Sequence, residues 1–343
     1  MLWSTPEVKQ LNKEKIRKEI QNSGECTKAE IARKTSLSIV TCNTLLNEML
    51  QEEEIILAEQ EEVRSGRPGR PASQYEYNKD YIHVLGIYVD VHMTEFKLEY
   101  IVADAFGSER KHEELYQDTM TYEFIESIIE KVLKEDSKIK RISFGIPGVT
   151  DQDVVEECDV KFLIGINIRK SIKEKFGLEA DVRNDMDFIS YGIYNNESMH
   201  SGNLATLFFP EEDGNYVGAG FVIDGKVLHG FSHYSGELSC VAEGFGLSRK
   251  RQNEMLHDRE EFCELVSKMV MIVIGTIDPE KIVVMGNDIK QKEIMQVWEL
   301  CNEVVSEKHI PDLSVDNNIG QNYLNGLVKN ALDKVQFPIS LRI

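Results

Sequence analysis

The sequence has 343 residues, with 39 Lys+Arg against 59 Asp+Glu for a formal net charge of −20. That length predicts a multidomain soluble protein with more than one buried core, and so acidic a chain excludes nucleic-acid binding except in a part that escapes the general repulsion. The charge is uneven: residues 1–80 hold 12 Lys+Arg and 14 Asp+Glu, net −2, leaving 27 and 45, net −18, for residues 81–343.

The six cysteines, Cys26, Cys42, Cys158, Cys240, Cys263 and Cys301, form no CxxC or CxC pair, and no charged-then-apolar leader precedes them. That pattern predicts a reduced, cytoplasmic protein. The longest apolar run, VSKMVMIVIGTI at 266–277, contains a lysine and is too short to span a bilayer, so it predicts a buried helix and no membrane partner.

In chain order, Leu11, Ile16 and Ile20 line one face of residues 11–24, and Gly24 ends the pattern as a helix C-cap would. Thr27 and Glu30 have capping-box spacing for a second helix, with Ala29, Ile31 and Ala32 as its small apolar contacts. Thr35-Ser36-Leu37 is a tight turn, and a third helix runs from Ser38 to about Leu50. Its expected buried side is Val40, Cys42, Leu45, Leu46 and Met49, leaving Ser38, Thr41, Asn43, Thr44 and Asn47 polar and available. By itself this trihelical piece reads equally as a helical hairpin packed on the rest of the chain.

The following segment favours a DNA-binding winged helix. Strand-like stretches at 53–59 and 73–78 flank RSGRPGRP, which places Arg64, Arg67 and Arg70 among Pro68, Pro71, Gly66 and Gly69. Proline keeps such a loop extended and glycine allows close approach, as an arm in a narrow A·T-rich minor groove requires; a solvated spacer is the alternative. The third helix has no Lys or Arg, so phosphate contacts fall to Lys28, Arg33, Lys34 and the loop.

From residue 82 strands and helices alternate. Strands are expected at 82–90, 95–104, 138–149, 179–187, 203–210, 216–230 and 281–287, and helices at 121–135, 168–177 and over the apolar run. The pattern is α/β with two lobes.

Five pieces in order carry a family resemblance: Gly145-Ile146-Pro147-Gly148, Asn184-Asp185, Gly214 through Gly225-Lys226, Gly236-Glu237, and Asp278-Pro279 through Gly286. Together they resemble the ROK family, which comprises sugar kinases and sugar-responsive repressors of the NagC/XylR kind. The Gly66-Arg67-Pro68 loop matches the winged helix of its repressors. The resemblance implies an actin-like ATPase (ribonuclease H-like) two-lobed sugar-kinase fold preceded by an N-terminal winged helix-turn-helix. The expected units are a DNA-binding domain at 1–80 and an effector-binding and dimerisation domain at 81–343, with lobes at about 81–195 plus the C-terminal helix and 196–325.

The kinase parts depart from that pattern. Where the family has a glycine-rich phosphate loop with a metal-binding aspartate, this chain has GIYVDVHMTEF. In the register of Gly86, Tyr88 stands for the aspartate and Asp90 for a glycine; in the other register the loop is Val91, His92 and Met93. Tyr216 replaces a glycine in the second loop, and only Gly286-Asn287 remains of the adenine-side pair. These departures predict lost ATP binding, no enzyme activity and no cofactor.

The sugar half is better kept. Asn184 and Asp185 resemble the family's sugar-binding pair, whose aspartate is a general base in kinases and a hydroxyl acceptor in repressors. Glu237 resembles a second hydroxyl ligand, with the Pro147-Gly148 turn completing the ring. Ser239 and Cys240 occupy the positions of the family's Gly-His, and the cysteine cluster of its structural zinc is missing; Cys240, His257 and Cys263 are the available donors, short of the usual four, so no metal is expected. His229 and His233 are further effector candidates or exposed loop residues. The resulting expectation is a repressor of sugar-metabolism genes, a homodimer or a tetramer, with operator DNA and a sugar or sugar-phosphate effector as partners. An active sugar kinase and a DNA-binding protein with a ligand-free scaffold are the alternatives.

Overall fold

The computed structural model describes residues 4–58, 72–92, 94–196, 202–211 and 217–339. The expected arginines 64, 67 and 70, and Gly214 and Tyr216, lie outside these described residues.

Helix α1 (Thr5–Ser23) starts six residues before the expected helix, because Ser4 and Glu7 form a capping box ahead of the apolar stripe. Strand β1 (Cys26–Thr27) leads into α2 (Lys28–Thr35), capped by Thr27 and Glu30 as its spacing implies. Ser36, left-handed at φ 59°, turns the chain into α3 (Ile39–Gln51), whose N-cap Ser38 accepts from the Thr41 amide at 3.0 Å. Strands β2 (Ile55–Leu57) and β3 (Gln74–Tyr77) complete a three-stranded sheet of order β1-β3-β2, a winged helix-turn-helix fold. Two side chains differ from expectation. Ala29 is exposed, and Val40 is 76% exposed rather than buried, as is its neighbour Ile39 at 62%. Cys42, Leu45, Leu46 and Met49 already fill the inward face, which sends the helix's first turn to the surface.

The first lobe consists of β4 (His83–His92), β5 (Glu95–Ala103), β6 (Glu109–Gln117), α4 (Tyr122–Glu135), β7 (Ile139–Ile146), the hairpin β8 (Gly148–Asp151) and β9 (Val154–Cys158), α5 (Ile168–Phe176), β10 (Glu179–Asn184) and α6 (Asp185–Asn196). The second consists of β11 (Leu204–Phe208), β12 (Gly218–Ile223), β13 (Lys226–Val227), α7 (Leu238–Gly244), α8 (Arg249–His257), α9 (Arg259–Ile277), β14 (Lys281–Met285), α10 (Gln291–Asn302), β15 (Asp312–Val315) and α11 (Ile319–Gln336). The sheets run β10-β7-β4-β5-β6 and β13-β12-β11-β14-β15. Counted within each lobe both orders are 3-2-1-4-5, antiparallel among the first three strands and parallel from the first to the fourth and fifth. The fold is therefore a structural duplication, the actin-like, ribonuclease H-like arrangement.

The helix after each fifth strand crosses to the other lobe: α6 lies on β12 and β11, α11 lies on β4 and β7, and the two pack along each other. Glycines make that crossing close. A Cβ on Gly192 would lie 2.0 Å from the Asn322 carbonyl oxygen, and one on Gly326 would lie 1.8 Å from that of Phe188.

The far end of α11 holds the winged unit. Arg17 of α1 bonds Glu54 and the Gln336 carbonyl, its guanidinium 5.9 Å from the centre of the Phe337 ring. Glu14 accepts from the Ile339 amide at 2.8 Å, and the Gln336 amide donates to the Ala105 carbonyl at 2.6 Å. Glu14, Arg17 and Glu54 are 1%, 5% and 1% exposed, so this seam is a buried ionic one. A cavity of about 470 Å³ lies in it, lined by Lys13, Arg17, Glu54, Tyr77, Tyr81 and Val335, well away from Asp185. One apolar core runs without a break from Ile16 and Leu46 through Tyr75, Val84 and Tyr88 to Phe188 and Leu327.

Candidate functional site

Strands β7 and β10 are parallel neighbours, with Asn184 opposite Ile146, so the Pro147-Gly148 turn and Asn184-Asp185 come out side by side at the carboxyl ends. Such ends are where α/β folds bind ligands. The Asn184 amide donates to the Gly148 carbonyl at 3.1 Å, and its Oδ1 accepts from the Met186 amide at 2.8 Å. Asn184 thus ties the turn to the helix start. Gly148 is required there, because a Cβ would lie 2.1 Å from the Glu157 carbonyl oxygen.

The expected strand 179–187 ends early, and Asp185 opens α6. Its Oδ1 accepts from the Met186 amide at 2.7 Å. Burial of the carboxyl, then the nearby charges of Asp90, Asp159 and Asp187, push it up to about 7. Two residues on, Asp187 Oδ2 holds His229 Nδ1 at 2.7 Å, and His233 lies 5.9 Å from His229 between ring centres. Of the two expected histidines, His229 is thus bonded to the first turn of α6, and His233 is exposed beside it. Glu237 sits at the N-cap of α7, its carboxyl raised by burial and by Glu157, with Arg249 opposing. The turn and the Asn-Asp pair are thus joined through the Asn184–Gly148 bond, the Asp187–His229 pair follows on the first turn of α6, and Glu237, in the second lobe, is near enough to Glu157 of the β8–β9 hairpin to be raised by it.

Asp187 and Tyr323 were not singled out in the sequence. Asp187 was legible as a second carboxylate beside Asp185; Tyr323 comes from α11 and leaves no local signal. It stacks on Tyr88 with ring centres 4.2 Å apart and an interplanar angle of 18°. Its hydroxyl is buried without a hydrogen-bond partner, and a Cβ on Gly145 would lie 2.0 Å from it. Tyr88 donates to Glu99, which also takes Lys97 at 2.5 Å and His112 at 2.8 Å. An aromatic stack and an ion cluster thus surround Tyr88, the residue of one expected register, while Asp90, the aspartate of the other, lies near enough to Asp185 to raise its carboxyl. Gly220 has a structural reason of its own: a Cβ would lie 2.0 Å from Ser190 Oγ and 2.5 Å from the Met186 carbonyl oxygen, so it lets α6 lie on β12.

The donors present do not fit the family's zinc. Cys240 Sγ receives Arg249 at 2.7 Å and meets the Tyr234 hydroxyl at 2.8 Å, while Cys263 is sealed in the second lobe's core. Among the described residues the cluster with metal-ligand spacing is instead Glu99, His112 and Glu114, and the Lys97 ammonium already occupies it.

On the N-terminal unit, Lys28 bonds Asn43, and Lys34 pairs with Glu19 at 2.7 Å and Ser23 at 2.8 Å. Arg33, Ser38, Thr44 and Asn47 are exposed and Thr41 is half-buried. No helix among the described residues is long and apolar enough to cross a membrane.

A winged helix-turn-helix fused to a duplicated, actin-like sugar-kinase fold defines the class of this molecule. Residues 88–246 match the model described as "ROK family", and this segment, just under half of the chain, is a ROK family domain. The chain is 23% identical to the xylose repressor of Caldicellulosiruptor bescii over 248 residues, 69% of this chain and 60% of that protein. It is 31% identical to the N-acetyl-D-glucosamine kinase of Aliivibrio salmonicida over 117 residues, 33% of this chain and 37% of that one. The chain thus spans under two thirds of the length of these curated relatives. In fold it is similar to a ROK family transcriptional regulator described as a homologue of the E. coli MLC protein, with a TM-score of 0.73, 16% identity, and coverage of 98% of this chain and 100% of that one.

Proposed function

We propose that the chain is a sugar-responsive DNA-binding repressor whose kinase-like part senses a sugar without phosphorylating it. The observation that carries this reading is the unbroken core and buried seam that join a winged helix, the outer face of its third helix exposed, to the lobe that holds Asp185. The similarity to the xylose repressor supports it. In the register that puts Tyr88 in place of the metal-binding carboxylate that phosphoryl transfer needs, the Tyr88–Tyr323 stack supports the loss of ATP binding.

In this reading the Asp185 carboxylate accepts a sugar hydroxyl, the Pro147-Gly148 turn offers backbone donors, and the Asp187-oriented His229 and Glu237 close the ring from the second lobe. His233 adds a further polar group at the rim. Closing the cleft moves α6 against α11, and α11 carries the movement to the winged unit. The sugar thereby shifts a population between two spacings of paired winged helices on a palindromic operator. A homodimer is the minimal assembly, and a tetramer satisfies the same geometry. Lys28, Arg33, Lys34, Arg64, Arg67 and Arg70 supply phosphate or minor-groove contacts, and Ser38, Thr41, Asn43, Thr44 and Asn47 lie on the groove-facing helix.

The test is fluorescence anisotropy of DNA from upstream of the protein's own gene, at fixed salt, against a panel of sugars and sugar phosphates. Specific binding released by one sugar is the expected result; binding no tighter than to random DNA overturns the reading. A second reading, an active sugar kinase, is favoured by Asp185 itself, a carboxyl at about 7 in the position of the family's general base. ATP-dependent phosphorylation of the same panel by the full chain decides it.

A further inference from the structure

We infer that Ile39 and Val40 read thymine methyl groups in the major groove, so that the first turn of α3 specifies thymine-bearing half-sites by apolar contact rather than by charge. This rests on the DNA-binding reading above. The two residues follow the N-cap Ser38, are 62% and 76% exposed, and stand at the end of α3 nearest the helix-turn-helix turn. The opposite face of the helix is fixed: Cys42, Leu46 and Met49 are fully buried, so α3 cannot roll to hide them. Polar side chains frame the pair, with Ser38 Oγ and Thr41 Oγ1 2.9 Å apart and the Thr44 hydroxyl donating to the Val40 carbonyl at 3.2 Å. Ile39 also walls a groove of about 340 Å³ with Thr27, Lys28, Ser73 and Tyr75 at the entry to β3.

The occupant follows from chemistry. Of the groups that base pairs present in the major groove, the thymine C5-methyl is the apolar one, and aliphatic side chains contact it. The helix carries no Lys or Arg to read guanine in the usual bidentate way, and the nearby Lys28 belongs to the preceding helix, bonded to Asn43. Two exposed aliphatic residues among hydroxyls and amides, at the groove-entering end of a cationless helix, fit adenine-thymine pairs and have no counterpart on guanine-cytosine pairs.

The experiment selects bound sequences from a random-sequence duplex pool with the full chain, then replaces thymines one at a time by deoxyuridine, which deletes only the methyl. Affinity is expected to fall about fourfold for each contacted methyl, and Val40→Ala, at an exposed position where folding is untouched, is expected to abolish the loss at its own thymine. Selected sites that bind deoxyuridine and thymine duplexes equally overturn this inference and leave the repressor reading standing. Failure to select any sequence removes both.

Discussion

Asp185 is where a single residue's chemistry can be read out directly. Its carboxyl is pushed up to about 7 from the ordinary 3.8 by burial and by the charges of Asp90, Asp159 and Asp187. The folded protein therefore keeps a proton that the unfolded chain has already released, so stability falls as pH rises from about 4 to about 7 and is level above that. A shift of this size corresponds to something on the order of 4 kcal/mol. Asp185→Asn should raise the melting temperature at pH 8 while converging on the parent protein near pH 4; an equal difference at both pH values would show that charge is not the cause. If Asp185 takes a sugar hydroxyl as proposed, sugar affinity should rise with pH through about 7, because only the ionised form is a pure acceptor, and calorimetric titration across that range measures it. Gly220 gives a second residue-scale prediction. A methyl 2.5 Å from the Met186 carbonyl oxygen forces α6 off β12, and Gly220→Ala should destabilise by about 1–3 kcal/mol in denaturant titration.

Between elements, the contact that matters most is α1 on the end of α11. Arg17 and Glu54 form a buried pair, and removing one partner strands the other charge, a loss of about 3–5 kcal/mol. Arg17→Ala should therefore release α1, read as hydrogen exchange of residues 5–23 with the second lobe's protection unchanged. Arg17→Met with Glu54→Leu should restore much of it. Little of this seam was legible in advance, because Arg17 and Glu14 read as solvated charges on an amphipathic helix and their partners come from the other end of the chain. Legibility elsewhere followed periodicity. The capping box at Thr27, the buried helix at 266–277 and the strands with continuous apolar runs were readable. Strand β6, ERKHEELYQ, was not, because it is an edge strand whose half-buried positions, Lys111, Glu113 and Leu115, supply a single apolar side chain to the core. The hairpin β8–β9 hid behind the Gly145-Ile146-Pro147-Gly148 motif, and the first turn of α3 was misplaced because an exposed valine looks like a core residue on a helical wheel. At the site, Asn184 and Asp185 were visible as a pair, whereas Tyr323 needed the duplicated fold to bring it to Tyr88.

For the whole molecule, duplication gives the proposed coupling its route. Each lobe lends its last helix to the other, α6 packs along α11, and the end of α11 bears the seam. Charge at this scale makes a separate prediction. With residues 81–343 at net −18, DNA affinity depends on a few cations of the first 80 residues. Arg67→Ala should weaken DNA binding and reduce the slope of log K against log salt by about 0.9 for each phosphate lost, with sugar affinity unchanged; equal affinity for the operator would remove that arginine from the interface. The seam also bears on how the chain is made. Glu14 and Arg17 emerge early, but Gln336 and Ile339 are 319 and 325 positions behind the residues they secure. At ordinary synthesis speeds of about 5–20 residues per second, the gap is roughly 15 to 60 s. On the reading proposed above, the nascent chain carries its DNA-binding unit throughout that interval before the residues that dock it exist.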